Sequence, residues 1–266
     1  MTTLLPIFAT LLGAITGSFL NVVIHRYPRE ESIAFPPSHC PRCNAAIRWF
    51  DNVPVLSFLV LRARCRACRE PISWRYPLVE LANALFYLAI FLHTGPTIAF
   101  VLLAAFVSML IALIYIDAEI QILPDVIDIP GIVIGIVVGA LSSGLFFPGL
   151  VLADSWSESL IGAATGAAIP LLLAGVYWLL RRVEGMGLGD SKMLAMIGAL
   201  LGWRSVFGVM FLASIIGTVV GIAAMRRSDR GMQLPLPFGV FLGFAALAVL
   251  FFGHTLSGWY FALLLR

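Results

Sequence analysis

Charge is what this sequence has least of. Only 12% of its 266 residues are Asp, Glu, Lys or Arg, about half the share of a soluble domain, while 61% are hydrophobic. So few polar residues cannot cover a surface facing water, which excludes a soluble globular fold. Histidine is also sparse. His25, His39, His93 and His254 are scattered, and no H-E-x-x-H pair occurs. The chain lacks a phosphate-binding P-loop, a G-x-S-x-G elbow and a glycine-rich dinucleotide fingerprint, so common nucleotide and serine-hydrolase chemistries have no foothold. No nucleic-acid-binding fold or aromatic platform accompanies the basic residues, so a nucleic-acid partner is not expected.

What the chain has instead is apolar runs, most of them near 20 residues, the length that crosses about 30 Å of hydrocarbon. They fall at 4–23, 77–95, 97–116, 126–147, 158–180, 190–203, 205–225 and 236–264. The expected fold is an all-α polytopic membrane protein of about eight transmembrane helices, with a small cytoplasmic tetra-cysteine loop domain. The run at 190–203 is short for a span, and the last run has a candidate break near Gly253-His254. The first run has no basic residue before it and no small-x-small cleavage site after it, so it reads as a retained helix rather than a secretory signal. The expected organisation is a first helix over 1–24, a metal-binding loop over 25–76 and a membrane core over 77–266.

Nine of the seventeen Lys and Arg residues lie between the first two runs: Arg26, Arg29, Arg42, Arg48, Arg62, Arg64, Arg66, Arg69 and Arg75. Retained arginines mark a cytoplasmic loop. Alternation from there puts Arg181, Arg182, Lys192, Arg226, Arg227 and Arg230 inside as well, and only Arg204 and Arg266 outside. Glycines recur at four-residue spacing (Gly131, Gly135, Gly139; Gly162, Gly166; Gly217, Gly221), a pattern that lets helix backbones approach closely.

All four cysteines sit in the arginine-rich loop, as Cys40-Pro-Arg-Cys43 and Cys65-Arg-Ala-Cys68, with 21 residues between the pairs. That spacing suits a four-thiolate zinc site, which is closed and therefore structural. Reduced thiols or redox pairs are the alternative reading, although the cytoplasm disfavours stable disulfides. Neighbouring Arg42, Arg64, Arg66 and Arg69 would offset the thiolate charge.

Ionisable groups at apolar runs usually carry function. They occur in IDAEIQILPD (116–125) with Asp117, Glu119 and Asp125, at Asp128 a turn later, in GMGLGDSKM (185–193) with Asp190 and Lys192, and at Glu80. The topology brings Asp117 and Asp190 to one membrane depth. Two carboxylates sharing a low-dielectric site share one proton, the arrangement of an aspartic protease. Asp190 as a helix cap, and Asp117 as a helix end at the interface, are the structural alternatives. Asp125 and Asp128 read as capping residues.

These motifs, in this order, resemble the bacterial type IV prepilin peptidases. The likeness runs over nearly the whole chain: GSFLNVVIHRYP (17–28), PPSHCPRC, the second C-x-x-C, ISWRYPLVE (72–80), IDAEIQILPD, GMGLGDSKM and LPFGVFLG (236–243). The resemblance implies catalytic aspartates at Asp117 and Asp190, the latter in Gly187-Leu188-Gly189-Asp190, with Lys192 as the basic residue that follows. It implies cleavage of the short basic leader of a prepilin or pseudopilin at the cytoplasmic face of the inner membrane. Methylation of the new N-terminus from S-adenosylmethionine would follow. It also implies the zinc-binding form of the loop. Glu30, Glu31, Glu70 and Glu80 are candidate contacts for a basic leader, and the backbone of Gly185, Gly187 and Gly189 would admit a peptide to Asp190. A proton-coupled transporter is the alternative, since intramembrane carboxylates also mark ion paths.

Overall fold

The computed structural model describes residues 4–142, 149–182, 187–226 and 236–264, whose regular elements are helices, with no strand beyond isolated bridges. The helices are α1 (Leu4–Arg26), α2 (Leu56–Val60), α3 (Arg75–Thr94), α4 (Ile98–Ile120), α5 (Asp125–Ser142), α6 (Trp156–Arg181), α7 (Leu188–Leu201), α8 (Trp203–Met225) and α9 (Phe238–Leu264). Seven are long and apolar enough to cross a membrane; α2 and α7 are not among them. Gly253 and His254 lie inside continuous α9, so the candidate break is absent. Gly185, Arg227, Arg230 and Arg266 lie outside the described residues. The chain forms two compact units, Met1–Ala112 and Leu113–Arg266.

In the first unit, α1 packs on α3. The contact is close because α1 presents glycines: a Cβ on Gly17 would stand 2.7 Å from the Cα of Glu80. Polar side chains reinforce the packing, as they do where water is absent. Asn83 Nδ2 donates to the Gly13 carbonyl (2.7 Å), Ser108 Oγ donates to Asn83 Oδ1 (2.9 Å), and Tyr87 Oη lies 3.1 Å from Ser108 Oγ. The outward face of α1 carries exposed Leu4, Ile7, Phe8, Leu11 and Ile15, suited to lipid.

In the second unit, α7 is the axis. It packs against α5, α6, α8 and α9, and every residue from Met193 to Leu201 is buried. A helix surrounded on all sides must be apolar all round, which is why this run reads as a span although its 14 residues extend only about 21 Å. The glycine pattern is used here. Gly162 of α6 abuts the Gly198 carbonyl, Gly166 abuts the Leu194 carbonyl, and a Cβ on Gly135 of α5 would lie 2.8 Å from Ala199 Cβ. Helix α6 opens with a cap: Ser155 Oγ accepts the Glu158 N–H at 3.2 Å, and Glu158 Oε2 accepts the Asp154 N–H at 2.8 Å.

Candidate functional site

Asp117 lies in the last turn of α4, at 4% exposure. Its Oδ2 accepts the Val240 N–H at 2.9 Å, and the Gly239 N–H is directed at the same carboxyl. These donors are free because they belong to the first turn of α9, where backbone N–H groups have no partner within the helix. Pro237 just ahead of α9 and Gly239 inside it bring that turn up to the carboxylate. A Cβ on Gly239 would fall 2.8 Å from Asp117 Oδ2.

Asp190 occupies the first turn of α7, whose N-cap is Gly187. Its carboxyl receives the Gly187 backbone N–H, so it caps its own helix from the third position. It also lies close enough to Asp117 for the two charges to repel. Asp190 is thus a first-turn residue and not the N-cap of α7, and it lies on the same side as the second acid. The two aspartates line one cavity of about 490 Å³ with Gln121, Leu123, Gly187, Lys192 and Phe238. That volume suits a peptide segment.

Gly189 lines this cavity and also packs closely, since a Cβ there would come 2.9 Å from Leu123 Cβ. Leu123, in the turn after α4, thus wedges between the glycine of G-x-G-D and the glycine that opens α9. Sequence reasoning assigned no role to Leu123, Gln121 or the α9 amides; the quoted LPFG stretch was the only signal for the last. Lys192 donates to both oxygens of Asp125, at 2.6 and 2.8 Å. Asp125 is therefore an ion-pair partner at the start of α5. Asp128 does not cap. It is fully buried, and neither carboxyl oxygen has a hydrogen-bond partner among the described residues. Its charged neighbours are Asp125, Lys192 and Asp190.

In the first unit, the sulfurs of Cys40, Cys43, Cys65 and Cys68 all lie within 4.8 Å of one another, and Cys40 Sγ is 3.9 Å from Cys68 Sγ. Tetrahedral zinc–thiolate geometry requires about 3.8 Å between sulfurs, so the cluster fits such an ion. The two knuckles are built alike. Asn44 N–H bonds to the Cys40 carbonyl and Arg69 N–H to the Cys65 carbonyl, and both Asn44 (φ 56) and Arg69 (φ 62) are left-handed. The Cys68 and Ala67 backbone N–H groups draw the Cys65 thiol down to about 7. At Cys68 the Glu70 N–H favours the thiolate, yet burial and the three neighbouring sulfurs outweigh it and push the group up to about 12. Arg66 forks onto Asp51 at 2.6 and 2.8 Å, holding that carboxyl below its usual range. Glu80 is the sixth residue of α3. It is buried in α3 and accepts the Val55 N–H at 2.7 Å.

A multi-span helical membrane protein with two acids lining one cavity, and a four-cysteine module suited to a metal, is the class that these features define. Residues 11–94 match the Bacterial Peptidase A24 N-terminal domain, and residues 104–222 match the Type IV leader peptidase family. The chain is 38% identical to a prepilin leader peptidase/N-methyltransferase of Aeromonas hydrophila, over 94% of this chain and 91% of that protein. It is 36% identical to the protein of that name from Burkholderia pseudomallei strain 1026b, over 92% and 85% of the two chains. One from Myxococcus xanthus is 42% identical over 85% of this chain, the match spanning 65% of that relative's own length. No solved structure matches. The chain belongs to the type IV leader peptidase family, as a multi-pass inner-membrane member.

Proposed function

We propose that the chain cuts the leader peptides of prepilins or pseudopilins with Asp117 and Asp190 as its catalytic pair, and then methylates the new N-terminus. The observation that carries the peptidase reading is the shared cavity of the two acids. One carboxylate takes a proton from water, whose oxygen adds to the scissile carbonyl carbon. The other, protonated, donates to the carbonyl oxygen. Collapse breaks the C–N bond as a proton passes to the leaving amine. The Val240 N–H holds one oxygen of Asp117, leaving the other for the water. The transporter alternative finds no support in the relatives.

The site opens to the cytoplasm in this reading. The α6 end carries Arg181 and Arg182 and the α8 end meets Arg226, and these ends lead into the chain segments that begin α7 and α9, where the cavity lies. Membrane lipid surrounds the spans. The four cysteines hold a structural zinc ion, which would tie together a loop with little apolar core of its own. S-adenosylmethionine supplies the methyl group. Among the described residues no glycine-rich loop marks a place for that donor, and methylation rests on kinship with the bifunctional relatives.

Asp117→Asn and Asp190→Asn test the pair. Each should lower prepilin cleavage at least about 1000-fold while a pre-cleaved pilin is still methylated. Full cleavage by either variant overturns the assignment.

A further inference from the structure

Helix α2 turns its apolar side outward. Leu56, Leu59 and Val60, spaced i, i+3, i+4, form one face and are 57%, 63% and 67% exposed, while Ser57 and Phe58 point inward and are buried. The inward side is fixed by hydrogen bonds: Ser57 Oγ accepts the Val53 N–H at 2.9 Å and donates to the Phe50 carbonyl at 3.1 Å. The helix cannot roll to hide its apolar face without breaking these.

Two tethers set the height of α2 relative to the span formed by α3. The Val55 N–H donates to Glu80 Oε2, and Glu80 is the sixth residue of α3. The Phe58 ring packs on Trp74, the residue that opens α3, with centroids 4.9 Å apart. The helix therefore lies beside the first two turns of a membrane span. Val55 is held at φ 60, a conformation a β-branched residue adopts only under constraint, so the surroundings impose this placement. Arg62 and Arg64 follow directly and are exposed, and Trp49 and Trp74 stand at 84% and 67% exposure on either side in sequence. Indole rings and arginines around an apolar helix face are the side chains suited to an anionic interface.

We propose that the Leu56–Leu59–Val60 face of α2 is a lipid wedge, seated in the headgroup–acyl boundary of an anionic leaflet, with Arg62 and Arg64 on the phosphates. Such a wedge would fasten the four-cysteine module to the membrane surface by a contact independent of the metal.

Photo-crosslinking of the full chain tests this. A p-benzoylphenylalanine replaces Leu59, or Leu56 as a second position, in nanodiscs of phosphatidylcholine with or without phosphatidylglycerol. Leu11, on the lipid-facing side of α1, serves as the positive control. Intact-mass analysis should show lipid adducts at positions 56 and 59, rising severalfold with phosphatidylglycerol. That rise should vanish in the Arg62→Gln/Arg64→Gln variant. Crosslinks to a second copy or to the chain itself, or no adduct where Leu11 gives one, overturn the proposal. A yield indifferent to the anionic lipid overturns its charge component.

Discussion

Replacing Gly239 by alanine perturbs the candidate pair without replacing either acid. The new Cβ would lie 2.8 Å from Asp117 Oδ2, 3.0 Å from its Cγ and 3.1 Å from Leu123 Cδ1. Uncrowded packing places such atoms about 3.5 Å apart, so the carboxyl must retreat by roughly half an ångström or more. Helix α9 is poorly placed to give way instead, because one turn on Gly243 is pressed against Ile114 and a Cβ there would meet Met193 Cε at 3.3 Å. Retreat stretches the 2.9 Å bond from Val240 and moves the reacting oxygen. A misplacement of about 1 Å can cost 100-fold, so Gly239→Ala should lower kcat for prepilin cleavage about 10- to 100-fold, or about 1.4–2.7 kcal/mol in the barrier. KM should hold, since the methyl group faces the carboxylate. The assay is steady-state cleavage by the full chain in nanodiscs, with methylation of pre-cleaved pilin as a check of folding. Gly208→Ala, whose Cβ meets nothing within 4 Å, is the control. A folded Gly239→Ala enzyme within twofold of wild type would refute the reasoning.

Asp128→Leu removes a buried carboxyl that has no hydrogen-bond partner among the described residues, and should add about 1–3 kcal/mol of stability from relieved desolvation, read as a higher thermal midpoint in detergent; a lower midpoint would show that the carboxyl has a partner. Gly162→Ala drives a methyl into the Gly198 carbonyl at the α6–α7 contact and should cost about 1–3 kcal/mol. Gly175→Ala, in the same helix but with nothing within 4 Å, should melt like wild type. Cys40→Ser should reduce bound zinc from one ion per chain to nearly none and open the segment between α1 and α3 to proteolysis, read by metal analysis and limited digestion.

Composition alone determined that the chain crosses a membrane many times, because a surface with so few charges has only lipid to face. The C-x-x-C spacing foretold the cysteine cluster, since a short knuckle aims both sulfurs to one side whatever surrounds it. Run length and polarity located the helices to within a few residues, and G-x-G-D marked an acid at a helix start. Local pattern said least about residues whose partners come from distant segments. Asp125 does start α5, but nothing nearby foretold its ion pair with Lys192. Asp128 looked like a cap and is buried. Gly189 lines the cavity and also makes room for Leu123, which its motif did not show. Only the tertiary structure decided that the α9 amides grip Asp117, and that α7 is a short enclosed axis carrying Asp190 to the same cavity. Periodicity records which side of a helix is apolar, but not which neighbour covers it. That choice depends on the fit of glycine notches and backbone donors across segments more than a hundred residues apart in the chain, such as Asp117 and Val240.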